Sequence, residues 1–177
     1  PVAAASIGQV HRSRLPDGAE VAVKVRYPEV DKAIAADFGA SRIGVAMSAL
    51  FYPGARIKGF IEEAKTRFLE ECDYAHEAHC QARFARLHAG HPVITVPAIH
   101  EAYCGERVLT STFVHGQPFD AYLDGDPPQE ERDSLGVELF RFYVGTLFAH
   151  HLYNCDPHPG NYLFLGDGRV AMLDYGC

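Results

Sequence analysis

The stretch that decides the fold runs from Asp156 to Gly176, "DPHPGNYLFLGDGRVAMLDYG". Its first six residues place a carboxylate and an amide, Asp156 and Asn161, in a loop that Pro157 and Pro159 stiffen by fixing φ, so that both polar groups face one cavity. Two apolar runs follow around Gly166-Asp167-Gly168, the turn chemistry of a β-hairpin. The hairpin ends on a second carboxylate, Asp174, 18 residues after Asp156 and followed by Tyr175-Gly176. A competing reading takes His150, His151, Cys155 and His158 as a zinc site, because imidazole and thiolate are good zinc ligands. Neighbouring helical histidines point about 100° apart and no second pair with ligand spacing follows, so the histidines read better as helix-end and packing residues.

Upstream, Leu135, Leu139, Phe140, Tyr143, Val144, Leu147, Phe148 and Leu152 form a wide apolar helical face that delivers the chain into the loop. That helix and the hairpin expect further helices to cover them. Before it, "GQPFDAYLDGDPPQEE" is a connector, and "VITVPAIHEAYCGERVLTSTFVHG" reads as two strands of a hairpin around "YCGER". From Gly59 to His88 the pattern predicts one long helix with Phe68, Ala75, Ala78 and Ala82 on its buried stripe. Glu71 falls on that stripe, while Asp73 and Glu77 share another face. Near the start, "LPDGAE" separates two strands, and in "EVAVKVRY" Val21, Val23 and Val25 alternate with Ala22 and Lys24. A mid-strand lysine and a carboxylate on a buried helical face are both costly alone, so Lys24 and Glu71 are each other's natural partner.

Composition narrows the function classes. A net charge of -7 without a Lys/Arg cluster gives no footprint for nucleic acid, since neutralising phosphates needs a basic face. No window reaches the roughly 18 apolar residues of a membrane span, so membrane contact must be peripheral. Five cysteines without a C-x-x-C pair fit reduced thiols and a cytoplasmic location. The chain opens on Pro1 in mid-pattern and ends at Cys177 just past a strand, and reads as a piece of a longer protein.

The order of parts resembles a protein-kinase-like fold: strands, a strand with a central Lys, a long helix with an inward Glu, more strands, a connector, an apolar helix, an Asp-x-x-x-x-Asn loop and an Asp-x-Gly hairpin end. The expected class is α+β with two lobes, an N-lobe at 1–113, a hinge at 114–118 and a partial C-lobe at 119–177. More specifically the sequence resembles the UbiB, or AarF-type, atypical kinases associated with ubiquinone biosynthesis. The matching pieces are "AAAS" with "IGQVHR" (3–12), "VAVKV" (21–25), "ECDYAHEA" (71–78), "RVLTSTFVHG" (107–116), "DPHPGN" (156–161) and "LDYG" (173–176).

The resemblance implies an ATP- and Mg²⁺-dependent ATPase or small-molecule or lipid kinase supporting isoprenoid quinone metabolism. Ala3, Ala4, Ala5 and Ser6 would form the nucleotide loop, stiffer than the glycine loop of ordinary protein kinases. Lys24, paired with Glu71, would aim at the α/β-phosphates. Asn161 and Asp174 would hold Mg²⁺, and Asp156 would orient or deprotonate the attacking hydroxyl or water. Glu71-Cys72-Asp73 matches an acidic motif with which relatives hold an N-terminal Lys-x-Gly-Gln extension, and that motif is not in these residues. Expected partners are a nucleotide and an isoprenoid lipid or inner-membrane surface, with no nucleic acid. A catalytically weak nucleotide-binding regulatory module, for which the alanine loop speaks, and a purely structural interaction domain are the competing classes.

Overall fold

The computed structural model describes residues 1–5, 7–30, 32, 59, 63, 66, 69, 72–154 and 156–176. Three antiparallel strands open the chain: β1 (Ala3–Ala5), β2 (Gly8–Arg14) and β3 (Glu20–Arg26). The β2–β3 turn closes where Gly18, at φ 90°, accepts a left-handed backbone and Asp17 Oδ1 receives the Ala19 N–H at 3.0 Å. The sheet is completed by β5 (Val108–Thr112), giving the order β1-β2-β3-β5. The register sets Val10 and Leu109 on either side of Lys24, and Arg12 and Ser111 on either side of Ala22, so one face of the sheet carries all six side chains.

Against this sheet lies α1 (Tyr74–Leu87). The expected single helix from Gly59 to His88 is interrupted. Gly59, Glu63, Thr66 and Leu69 are helical, but Cys72 turns and Asp73 is an N-cap whose Oδ1 accepts the His76 N–H at 2.9 Å. A new helix that starts at a cap carries its own phase, so the stripe projected through Cys72 and Asp73 does not hold. Ala75 is exposed, and the buried positions are Tyr74, Glu77, Gln81 and Phe84, spaced for one face of a helix that begins at Tyr74. Phe68 and Glu71 lie outside the described residues.

The expected hairpin around "YCGER" also splits. Ile94–Thr95 (β4) leaves to join a second sheet, while Ala98–His100 runs along β5 through the Thr112 N–H to Ala98 O bond at 2.8 Å and the His100 N–H to Thr110 O bond at 2.9 Å. Between the two sits Pro97, which lacks an N–H and cannot continue a ladder. The second sheet has the order β4-β7-β6, built from β6 (Tyr162–Phe164) and β7 (Val170–Met172) as an antiparallel hairpin with β4 parallel to β7.

After a connector at residues 113–118 come α2 (Phe119–Asp124), α3 (Gln129–Phe140), a π-helical turn at Arg141–Gly145 and α4 (Thr146–His150). Leu135, Phe142, Tyr143 and Leu152 reach the larger core with Phe84, Ile94, Tyr162, Phe164, Val170, Met172 and Tyr175. The apolar face is narrower than its sequence pattern: Phe140 is 64% and Phe148 78% exposed. The π-helical turn adds a residue to one turn and rotates the helix beyond it, so a phase drawn at 100° per residue through Arg141–Gly145 misplaces Phe148. A smaller core holds Ile7, Cys72, Tyr74 and Leu109.

The Asp73 cap gives a direct test. Asp73→Ala leaves the first turn of α1 without its acceptor and should cost about 1 kcal/mol in denaturant unfolding, whereas Asp73→Asn should cost only a few tenths.

Candidate active site

The two sheets, α1 and the loop at 156–161 enclose a cleft of about 840 Å³. Its upper wall is the sheet face with Val10, Arg12, Ala22, Lys24, Leu109 and Ser111; its back is Thr112 at the end of β5 and the connector from Phe113 to Gly116; its floor includes His158, Pro159, Gly160, Tyr162 and Leu163. The connector hugs the second sheet through paired Gln117–Phe164 hydrogen bonds of 2.8 and 2.9 Å. A Cβ on Gly116 would stand 2.9 Å from Leu163 Cβ and 3.0 Å from Phe164 O, so this close approach needs glycine. On the other side Glu20 accepts from His115, Arg12 and Arg14, and those bonds, His115's first, pull its carboxyl down to about 2.

Lys24 enters the cleft from mid-strand. Its Nζ donates to Glu77 Oε1 at 2.8 Å and Oε2 at 2.9 Å and stands 3.6 Å from Asp174 Oδ2, with the Tyr74 ring 5.2 Å away. Among the described residues the partner carboxylate of Lys24 is Glu77; Glu71, the expected partner, lies outside them. The signal was the Asp73 cap: a helix starting at Tyr74 puts Glu77 and Gln81 on the same stripe as two aromatics. Arg26, two residues after Lys24 on the same face, donates from Nη1 to Cys72 O at 2.6 Å and ties the end of β3 to the start of α1. Burial alone would push the Lys24 pKa down, but the Glu77 and Asp174 charges and the Glu77 hydrogen bonds outweigh it and hold it above the ordinary 10.5.

The catalytic-type loop is drawn together by its own hydrogen bonds. Asn161 Nδ2 donates to Asp156 Oδ2 at 2.7 Å and to Asp156 O at 3.2 Å, which leaves Asn161 Oδ1 as an oxygen donor. Leu173 N–H bonds to Asn161 O at 3.0 Å, joining this loop to the strand before Asp174. Asn154, 2% exposed and not singled out by its sequence context, binds both: its Nδ2 donates to Asp174 O at 2.6 Å and its Oδ1 accepts from the Asp156 N–H at 3.2 Å. Asp174 Oδ1 accepts from the Gly176 N–H at 2.9 Å, and Oδ2 faces Lys24. A Cβ at Gly176 would meet Asp174 Oδ1 at 3.3 Å, so glycine is accommodated by that turn. The Tyr175 hydroxyl is satisfied by Met172 O at 3.1 Å and its ring packs 5.1 Å from Phe84 of α1.

The alanine segment is less a loop than expected. Ala3 to Ala5 form β1, pairing with Val10, Gln9 and Gly8; Ala3 lines the cleft and Ala4 is exposed on the alternate face. Ser6 and the Ala5 side chain lie outside the described residues. His150 and His151 are exposed at the end of α4, His151 as its left-handed C-cap at φ 51°. His158 is not a packing residue; it is exposed and lines the cleft. Cys155 lies outside the described residues, and among those described no three His, Cys, Asp or Glu gather where a metal ion could be held by the chain alone.

That donor set suits Mg²⁺ bound with a nucleotide, because this ion keeps waters and takes only one or two carboxylates beside phosphate oxygens. Asp174 and Asn161 are all-oxygen donors of that kind.

The Lys24–Glu77 pair makes two measurable demands. Glu77→Ala leaves the ammonium with only Asp174 nearby among the described residues and should lower unfolding free energy by roughly 3 kcal/mol, while the double variant Lys24→Met with Glu77→Leu should recover most of that loss. Because the folded-state lysine pKa is raised, its contribution is fully present below 10.5 and is lost as pH rises through the folded value. Unfolding curves of wild type and double variant should therefore converge only on the alkaline side.

Among known proteins, the ABC1 atypical kinase-like domain matches residues 1–177. Atypical kinase COQ8B, mitochondrial, from Danio rerio is 34% identical over 178 residues, covering 100% of this chain and 28% of that protein. Atypical kinase coq-8, mitochondrial, from Caenorhabditis elegans is 33% identical over 182 residues, covering 100% of this chain and 24% of that protein. The chain thus spans about a quarter of the length of these curated relatives. Among solved structures, the complex of Rv3197 with erythromycin from Mycobacterium tuberculosis superposes with a TM-score of 0.85 at 34% identity, over 100% of this chain and 44% of that one. With a kinase-like architecture and a family match along its whole length, the chain belongs to the ABC1 atypical kinase-like family, the UbiB/AarF group of kinases.

Proposed function

We propose that the cleft binds ATP with Mg²⁺ and that the protein acts as an ATPase or as a small-molecule or lipid kinase supporting isoprenoid quinone metabolism. The observation that carries this reading is the position of Lys24: an ammonium held by Glu77 and Asp174 inside a cleft whose floor includes His158, Pro159 and Gly160 of the Asp156–Asn161 loop. In phosphoryl transfer the lysine takes the α/β-phosphates, and the two acids do separate work. Asp174 and Asn161 would hold the Mg²⁺, whose positive charge offsets the charge on the phosphate oxygens. Asp156 would act as the base or orienting group for the attacking hydroxyl or water, and Asn161 Nδ2 donates to its carboxylate. The relatives' names, atypical kinases of mitochondria, support the quinone connection. No helix among the described residues is long and apolar enough to cross a membrane, and contact with a lipid surface belongs to this proposal as a peripheral one.

A catalytically weak regulatory module is the second reading, favoured by β1: alanines in a paired strand stand where an open glycine loop would cover the phosphates. One set of measurements on the full-length protein separates the two. Mg²⁺-ATP at a hundredfold excess over its dissociation constant should stabilise the fold by about 2.7 kcal/mol. Asp174→Asn should remove the metal-dependent part of that shift. Asp156→Asn should keep nucleotide binding and lose phosphate release. If Asp156→Asn released phosphate as fast as wild type, the catalytic assignment would fail; if wild type released none, the regulatory reading would stand.

A further inference from the structure

The cleft reaches farther than the roles assigned to Lys24, Asp156, Asn161 and Asp174 require. Its outer end is Val2, Phe119 and Asp120, and its inner end is Pro97, Leu109 and Glu77. The inner end lies against α1: Glu77 belongs to that helix, and Pro97 O accepts from Nε2 of Gln81, one helical turn farther on, at 2.7 Å. At about 840 Å³ the cleft is near the top of the roughly 300–1,000 Å³ range of small-molecule pockets.

The passage to the inner end is set by β5. Strand alternation turns Leu109 and Ser111 to the cleft, and the connector begins two residues after Ser111. Ser111 stands opposite Ala22, and Leu109 stands opposite Lys24. The row nearest the connector therefore has small side chains at both strands, and the next row lies about 7 Å deeper, two residues along the strand. Ser111, Leu109 and Pro97 are all buried, so the space behind Ser111 is walled and largely apolar. A side chain of one carbon and one hydroxyl at position 111 leaves the way into it open.

We propose that the space behind Ser111 is a subsite for an apolar substituent on the exocyclic amine of the base, so that the cleft takes N⁶-substituted adenine nucleotides. The proposal rests on the nucleotide reading of the cleft. With the phosphates at Lys24 and Asp174, the base would lie between Val10 and Ala22 above and Leu163 below, its hydrogen-bonding edge toward the connector main chain. A substituent on the amine of that edge would run past Ser111 toward Leu109 and Pro97, while the N–H left on the secondary amine can still donate. The charged groups at the inner end, Lys24 and Glu77, already bond each other, so the subsite favours an apolar group over a polar one.

The test uses full-length protein with Mg²⁺ and two probes, ATP and N⁶-benzyl-ATP, their affinities read by calorimetric titration. Wild type, which needs no variant to fold, should bind N⁶-benzyl-ATP at least as tightly as ATP. Ser111→Met puts a long side chain into the passage and should lower the ratio of N⁶-benzyl-ATP to ATP affinity by about tenfold or more, the scale of discrimination that small changes of apolar volume give in a pocket. N⁶-benzyl-ATP bound more weakly than ATP by wild type, or an unchanged ratio in folded Ser111→Met protein, would overturn the subsite while leaving the nucleotide site standing. Wild-type protein that binds neither probe would overturn both.

Discussion

Everything in this molecule turns on one ammonium group in a place that would otherwise neutralise it. Lys24 sits in mid-strand between Val10 and Leu109, and burial works against its charge. The two Glu77 oxygens and Asp174 Oδ2 reverse the balance and keep it charged. Because Glu77 belongs to α1 and Asp174 to the segment after β7, the same contact joins the first sheet, the helix and the second sheet. A charge that only survives in company forces three elements to meet.

The helix that supplies Glu77 is itself held at both ends. Tyr74 lies in the smaller core with Ile7, Cys72 and Leu109, and Phe84 lies in the larger one with Phe142 and Tyr175. Arg26 anchors the start of α1 through Cys72 O, and the Tyr175 ring, next to Asp174, packs against Phe84 near its end. The carboxylate of Asp174 and the carboxylate of Glu77 are thus positioned by neighbouring parts of one packed unit. Asn154 extends that unit to Asp156, with one side-chain amide serving both acidic segments.

The nucleotide end of the cleft departs from an open glycine loop in a way the ladder makes concrete. Ala3 to Ala5 are paired with β2, and the glycine that geometry demands is Gly8, where a Cβ would stand 2.3 Å from Val25 O. Small residues in β1 let the strand lie over the cleft, while pairing restrains it more than a free loop would be restrained.

Much of this was legible in the sequence because it is encoded by short-range chemistry. The turns with Gly18, Gly166 and Gly168, the strand alternation around Lys24, and the stiff Asp-x-x-x-x-Asn loop with Asp174 beyond its hairpin are local patterns, and their order carried the kinase-like resemblance. The lysine's need for a carboxylate was also legible. Which carboxylate was not, because the answer depended on where a helix restarts: the Asp73 cap resets the phase that places Glu77, and a periodicity drawn through it points elsewhere. Ile94–Thr95 crosses to β7 because Pro97 interrupts the run, and Asn154 matters because two distant loops converge on it, neither of which spacing reveals. Residue types and intervals determined the inventory of chemistry and the order of elements. Only the packed structure decided the pairings, since burial and hydrogen bonding act between segments far apart in the chain.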